Sequence, residues 1–186
     1  MYPWSQWMPI QIANRVPIPR PPVQVLASPL PAGAGILPIP YVEQKGDNWC
    51  WAACGEMLFS QHQPKAQCAI AADYLNLVCC LTSRAPTECD EGAFPDDAYP
   101  DQGLPTQRIK APLSLAQIRA EVAAGKPVQV LYQWTGGYQT HVALIVGEHP
   151  NGEFQVLDPL RGSIRLPLDT INTAYGHGRW VWSFTF

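Results

Sequence analysis

The sequence has little charge and no strong excess of either sign. Charged residues make up 15% of its 186 residues, and the formal net charge is -3 at pH 7. Proteins that bind nucleic acid or an anionic membrane surface normally carry a basic patch, so this composition argues against both kinds of partner. No apolar run is long enough to cross a bilayer. Hydrophobic residues account for 47% of the chain, which is typical of a folded domain.

The N-terminus also lacks the features of a secretory signal. Its first residues, MYPWSQWMPIQIANR, have neither a basic start nor a continuous apolar segment. Cysteines are nevertheless frequent, because six of them lie between residues 50 and 89. Such clustering is typical of disulfides formed in an oxidising compartment. We therefore expect a secreted or otherwise exported protein whose signal is not visible in this chain.

The cysteine cluster does not have the pattern of a metal site. It contains no C-x-x-C pair, and its one histidine, His62, has no partner at zinc-finger spacing. We expect no metal ion and no other cofactor. If residues 68–79 form one helix, Cys68 and Cys79 lie about 16 Å apart along its axis, too far to bridge. A disulfide from Cys79 or Cys80 to Cys89 is favoured, and we take Cys80–Cys89 as the pair. For Cys54, a buried thiol and a half-cystine remain equally open.

The prolines divide the chain into two parts. Residues 1–40 hold ten of the 20 prolines, which exclude a sustained helix or a central strand there. We interpret this part as an extended leader or linker and residues 41–186 as one folded domain.

Within the domain, the periodicity changes from helical to extended. Helical spacing predicts a helix from Cys50, capped by Asp47 or Asn48, and a second over 67–78, followed by an irregular connection over 81–113. A third helix runs from the N-cap Ser114 to Gly125. Five strands are predicted after it, in PVQVLYQW, THVALIVGEH, EFQVLDP, SIRLP and RWVWSFTF. Helices followed by strands favour an α+β fold with an antiparallel sheet.

Three residues carry the types and positions needed for thiol catalysis. Cys50 begins the first predicted helix, whose N-terminus stabilises a thiolate. His141 opens an apolar strand, and Asp158 ends the next strand along the chain. A hairpin brings such positions side by side, and a buried carboxylate needs a partner such as histidine. The sequence predicts a nucleophile, a base and a residue that orients the base.

The motif around Cys50 resembles that of papain-like cysteine peptidases. Their glutamine, five further residues and Cys-Trp are matched here by Gln44, Cys50 and Trp51, and their order of cysteine, histidine and Asn or Asp by Cys50, His141 and Asp158. The likeness covers about residues 39–186 and is strongest to short bacterial branches, which include bacteriocin-processing peptidases and plant-pathogen effector proteases. One departure from the plant enzymes is Asp47, which stands where they have a cysteine.

The resemblance implies a fold and a set of roles. The fold would have a helical half with Cys50, an antiparallel sheet half with His141 and Asp158, and a cleft between them. Cys50 would attack a peptide carbonyl, His141 would transfer protons, and Asp158 would orient His141. The Gln44 side chain and the Cys50 N–H would form the oxyanion hole. Three further residues are expected along the cleft, namely Trp51, Trp134 and Gly92.

Two other functions fit parts of the same pattern. The triad could pass its acyl group to an amine, giving transamidation or acyl transfer, or could deamidate glutamine. Alternatively, the cysteines could all be structural, in a disulfide-rich secreted module that binds peptides without cleaving them. For the enzyme, we expect a peptide or protein substrate and, as a further partner in cis, the N-terminal segment of the same chain.

Overall fold

The computed structural model describes residues 35–186, in which most helices precede the sheet. The helices are α1 (Cys50–Phe59), α2 (Gln67–Leu75), α3 (Pro95–Ala98), α4 (Leu115–Ala123) and α5 (Leu168–Asn172). The strands are β1 (Gln107–Ile109), β2 (Val128–Trp134), β3 (Thr140–Glu148), β4 (Phe154–Asp158), β5 (Gly162–Leu166) and β6 (Gly178–Thr185). No helix within the described range is long and apolar enough to cross a membrane. The predicted boundary at residue 40 stays a prediction, since most of the leader lies outside this range.

One antiparallel sheet organises the domain, as the α+β prediction requires. Its strand order is β1-β6-β2-β3-β4-β5. Successive side chains of a strand point to opposite faces, and β3 buries both. Val142, Leu144 and Val146 pack in one apolar cluster with α1 and α2, whereas Ala143 and Ile145 pack in a second cluster with α4 and α5. The sheet is therefore covered on both sides, which explains the continuous apolar run of β3.

All five predicted strands are present, and one strand was missed. That strand, β1, has three residues and pairs with β6 at the edge of the sheet. It lies in the stretch 81–113 predicted to be irregular, because three residues are too few to show an alternating pattern. The prediction for α4 is confirmed at both ends. Ser114 forms a capping box with Gln117, and Gly125 adopts the left-handed conformation at φ 78° after the helix.

Helix α1 starts at Cys50 as predicted, but its predicted cap is wrong. The N-cap residue is Trp49, and no side chain caps the helix. The backbone N–H groups of Asp47 and Asn48 instead donate to the carboxylate of Asp90, at 3.2 and 2.8 Å. Both N–H groups precede the helix, so Asp90 does not cap α1 but fixes the loop that leads into it.

The predicted Cys80–Cys89 disulfide is also wrong. The bridges are Cys68–Cys80 and Cys79–Cys89, and the free cysteines are Cys50 and the fully buried Cys54. The reason is that α2 ends at Leu75, earlier than predicted, where Asn76 takes a left-handed conformation. The chain then turns back. Cys79 is buried and meets Cys89, while the adjacent Cys80 is exposed and returns to Cys68.

We predict that the two disulfides differ in their rate of reduction. A thiolate must reach the sulfur that it attacks. Cys80 is exposed whereas Cys79 and Cys89 are buried, so mild dithiothreitol should open Cys68–Cys80 first. Alkylation of samples taken over time, followed by peptide mass mapping, measures the order. Labelling of Cys79 and Cys89 before Cys68 and Cys80 would contradict this prediction.

Candidate active site

Cys50 lies at the start of α1 and is partly exposed with a free thiol. The loop that precedes α1 is held in place by its contacts with residues 89 and 90. The indole N–H of the buried Trp49 donates to the carbonyl of Cys89 at 2.6 Å. A Cβ at Gly46 would lie only 2.6 Å from Asp90 Oδ1, so the loop closes tightly enough to require glycine there. The sulfur is therefore presented at a helix N-terminus by a fixed loop.

His141 and Asp158 form a buried hydrogen-bonded pair. His141 lies near the start of β3 and Asp158 at the end of β4, which are antiparallel neighbours in the sheet. The distance from His141 Nε2 to Asp158 Oδ1 is 2.8 Å, and the side chains are 4% and 0% exposed. The structure thus brings His141 and Asp158 together, as expected for residues on the two strands of a hairpin.

The electrostatics of the pair favour its charged form. Burial alone lowers the pKa of His141, but the charge and hydrogen bond of Asp158 and a hydrogen bond with Cys50 outweigh burial and raise this pKa to about 10. Burial raises the pKa of Asp158, but His141 and other donors hold it below its ordinary value. Asp158 takes Nε2 of the ring, so Nδ1 is the nitrogen left to face Cys50. His141 is therefore hydrogen-bonded to Asp158 and close enough to Cys50 for the thiol to raise the pKa of the imidazole.

Two aromatic rings lie beside His141. Trp134 is nearly parallel to the imidazole, with ring centroids 6.0 Å apart, and Tyr132 is similarly oriented at 6.5 Å. Tyr132 is buried and is the cross-strand neighbour of His141, whereas Trp134 is partly exposed. Trp134 thus lies at the site, where its role in lining the cleft stays a prediction. Tyr132 was not predicted, because in the sequence it looks like an ordinary strand residue.

Gln44 reaches the loop before Cys50 but does not point a free N–H into the cleft. Its side-chain nitrogen donates to the carbonyls of Gly46 and Asp47, at 2.6 and 3.0 Å. These two bonds use both amide hydrogens. The amide oxygen is buried without a hydrogen-bond partner. The amide in this orientation holds the loop, and its role in the oxyanion hole stays a prediction that requires the group to rotate.

The predicted cleft residue Trp51 is buried instead. It is 1% exposed, its indole N–H donates to the Glu91 carbonyl at 2.9 Å, and its ring packs edge-on against Tyr74. A bulky ring on the inner face of α1 contributes more by packing than by lining a cleft. Gly92 follows Glu91 and is partly exposed, so its place in the cleft stays a prediction.

Sequence reasoning missed the other groups that bind Asp158. The Leu160 N–H donates to Oδ1 at 2.8 Å, and the Tyr175 hydroxyl donates to Oδ2 at 2.6 Å. Arg161 Nε is 3.9 Å from Oδ2. The Asp-Pro turn is a signal from which the local Leu160 contact could have been found. Tyr175 lies 17 residues further along the chain, and no spacing rule identifies it.

One protein family matches most of the chain. A family model described as the papain-like cysteine protease AvrRpt2 matches residues 35–174. The chain belongs to this family. It is therefore a papain-like cysteine protease, as its resemblance indicated, and the matched range includes the helix of Cys50 and the strands of His141 and Asp158.

Individual proteins resemble the chain only distantly. The papain-like protease is structurally similar to the peptidase domain of Streptococcus ComA, described as a bi-functional ABC transporter involved in quorum sensing. That match has 14% sequence identity and a TM-score of 0.49, and it covers 78% of this chain and 96% of the other. Among curated proteins, no sequence matches significantly.

We predict that His141 remains an imidazolium at about pH 8, where an ordinary imidazole with a pKa of about 6.5 is neutral. Replacement Asp158→Asn removes the main groups that raise the His141 pKa and leaves the burial that lowers it. The ring should therefore be neutral at the same pH in this variant. NMR of protein labelled with 13C at histidine Cε1 measures both states. A neutral His141 in the wild type at this pH would contradict the charge assignment.

Proposed function

We propose that this protease hydrolyses peptide bonds with Cys50 as nucleophile, His141 as acid and base, and Asp158 as the group that orients His141. The observation that carries this proposal is a buried pair of imidazole and carboxylate whose imidazole pKa is raised by a free thiol at a helix N-terminus. A thiolate beside an imidazolium is the reactive form of a catalytic cysteine. Neither partner needs a cofactor for this chemistry.

The first half of the reaction forms a thioester. The Cys50 thiolate attacks the carbonyl carbon, a C–S bond forms, and the carbonyl oxygen becomes an oxyanion. The imidazolium of His141 gives its proton to the amide nitrogen. The C–N bond then breaks, the amine leaves, and His141 is left neutral. Asp158 keeps the ring in the orientation that this transfer requires.

The second half releases the acid product. Neutral His141 takes a proton from water, and the resulting hydroxide adds to the thioester carbonyl. The C–S bond breaks, which regenerates the thiolate beside the imidazolium. An amine could replace water in this step, and product analysis separates the two outcomes.

We assign the oxyanion to the Cys50 backbone N–H and to the Gln44 amide. The first N–H groups of a helix have no partner within the helix, so that of Cys50 can donate to a substrate. Gln44 would join it once its amide leaves the carbonyls of Gly46 and Asp47. Its buried, unpartnered oxygen makes the present orientation incompletely satisfied.

We also propose that the protease is exported. Two disulfides among the described residues support this location, because disulfides persist in oxidising compartments. The free thiol of Cys50 speaks against the alternative of a non-catalytic module, which requires that cysteine to be oxidised.

The N-terminal segment remains a proposed partner in cis, with a constraint from the fold. Ile36 pairs with Gly147, and the Leu37 N–H donates to the Val146 carbonyl. Both contacts lie near the C-terminal end of β3, whereas His141 lies near its start. Six residues of a strand separate Gly147 from His141, which is about 20 Å. Any bond cleaved in cis must then lie at least about six extended residues before Gly35.

Replacement Cys50→Ala should abolish cleavage and preserve the fold, since it removes only the nucleophilic sulfur. Cys54→Ala is the matched control, because this second free cysteine lies one helical turn away and is fully buried. It should retain turnover. Cleavage of a peptide library, followed by mass spectrometry with and without added amine, measures both variants and separates hydrolysis from transamidation. Cleavage by the Cys50→Ala variant would contradict the proposal.

Replacement Gln44→Ala should lower kcat by about 100-fold or more, the usual effect of removing one oxyanion donor. KM should change little, because the donor acts on charge that develops in the transition state. The exposed Gln63→Ala serves as the control for a generic glutamine replacement. A kcat within about threefold of wild type would show that Gln44 acts only on the loop.

If the protease cleaves its own leader, a new N-terminus should appear in the wild type and not in Cys50→Ala. Its position should precede Gly35 by about six residues or more, because of the span along β3. N-terminal sequencing after incubation over a dilution series measures the site and separates cleavage in cis from cleavage in trans. Equal processing of both proteins would contradict self-cleavage.

A further inference from the structure

The carboxylate of Asp158 has two oxygens, and only one of them faces His141. Oδ1 accepts from His141 Nε2 and from the Leu160 N–H. Oδ2 accepts from the Tyr175 hydroxyl at 2.6 Å. Asp158 is completely buried, so Oδ2 is satisfied by the Tyr175 hydroxyl and not by bulk solvent. The phenol therefore fixes the rotation of the carboxylate whose other oxygen holds the imidazole.

Tyr175 reaches Asp158 through an unfavourable backbone conformation. Ala174 and Tyr175 have φ angles of 45° and 62°, in the left-handed region that residues with a Cβ rarely adopt. They occupy the turn between α5 and β6, where the Tyr175 N–H donates to the Thr170 carbonyl and the Gly178 N–H donates to Thr173. Two consecutive strained residues beside a catalytic group point to a functional constraint.

The ring of Tyr175 also packs against Arg161, a cation that could pair with Asp158. The Arg161 guanidinium lies over this ring, 4.3 Å from its centroid, and its Nε stays 3.9 Å from Asp158 Oδ2. That separation exceeds a hydrogen-bond distance, whereas arginine and carboxylate readily form close bidentate pairs. The close hydrogen bond to Oδ2 therefore comes from the phenol and not from Arg161.

We propose that Tyr175 is a positioning residue of this site: its hydroxyl locks the Asp158 carboxylate toward His141 and keeps Arg161 from capturing it. This inference rests on the proposed function and extends it to a residue one position beyond the range that the family model matches.

The charges around Asp158 agree with this role. Burial, followed by the Asp158 charge, raises the pKa of Tyr175, so the phenol stays protonated and able to donate. The ionisable groups that influence or contact Asp158 come from several elements: Cys54 from α1, Tyr132 from β2, His141 from β3, Arg161 from the β4–β5 turn, and Tyr175. Among them, the Tyr175 hydroxyl can be removed while its ring is kept.

Alkylation of Cys50 by iodoacetamide tests the proposal without any substrate. At about pH 6 a cysteine forms a thiolate chiefly where an imidazolium pairs with it, whereas at about pH 10 an ordinary thiol ionises unaided. Tyr175→Phe should therefore react about tenfold more slowly than wild type at the lower pH, the scale expected for one lost hydrogen bond to a charged group. At the higher pH, the two rates should agree.

One control variant and one kinetic measurement complete the comparison. Tyr138→Phe removes the hydroxyl of a tyrosine that is 98% exposed and should match wild type at every pH. With a peptide substrate, Tyr175→Phe should lower kcat by about tenfold and leave KM within about twofold. Identical alkylation profiles for Tyr175→Phe and wild type would overturn the proposal. An equal loss at both pH values would also overturn it, since that indicates a general structural defect.

Two further results keep this inference separate from the function on which it rests. Absence of Cys50-dependent cleavage in the wild type would remove the proposed hydrolysis, while the alkylation profile would still test Tyr175. Should Tyr175→Phe not fold, a crystal structure of the wild type decides the contact. A phenol within about 3.2 Å of the carboxylate supports the proposal, and a phenol turned to solvent overturns it.

Discussion

A hydrogen bond between two buried groups, His141 Nε2 and Asp158 Oδ1, sets the requirements that the surrounding structure meets. Removing a carboxylate and an imidazole from water is costly unless each charge is paired and each polar atom is bonded. The sheet meets the first requirement by ending β4 beside the start of β3. The Leu160 N–H and the Tyr175 hydroxyl meet the second at the carboxylate. The other ring nitrogen remains for an interaction with Cys50, which also raises the pKa of the imidazole.

The helical half must bring the sulfur to this pair, and it does so through the segment around Cys89. The Cys79–Cys89 disulfide holds the segment, the Cys89 carbonyl accepts from Trp49, and the Asp90 carboxylate binds the loop at Asp47. In plant papain-like enzymes, a cysteine occupies the position of Asp47. Here the backbone N–H of Asp47 donates to Asp90, the residue after Cys89. The loop before α1 is therefore linked to the Cys79–Cys89 disulfide by a hydrogen bond and has no disulfide of its own.

The features that could be predicted follow from short-range patterns. The start of α1 at Cys50, the five longer strands and the contact of His141 with Asp158 depend on helical spacing, alternation and one hairpin. The Cys80–Cys89 pairing failed because α2 ends early at Asn76, which depends on how the chain packs afterwards. Asp90 and Tyr175 escaped prediction for a similar reason, since each reaches its partner through the packing of separate segments and no hairpin or spacing rule relates the two. Sequence spacing located Gln44 but could not give the orientation of its amide.

The proposed reaction passes through a covalent bond to Cys50, and trapping that bond is the strictest test of the site. A reaction with a peptide substrate is quenched in acid, digested and analysed by mass spectrometry. We expect an acyl group attached to the Cys50 sulfur and its loss to water, with one 18O atom incorporated into the acid product when the reaction is run in H2(18)O. An acyl group on another residue, or turnover with no acyl-enzyme formed at any stage, would contradict it.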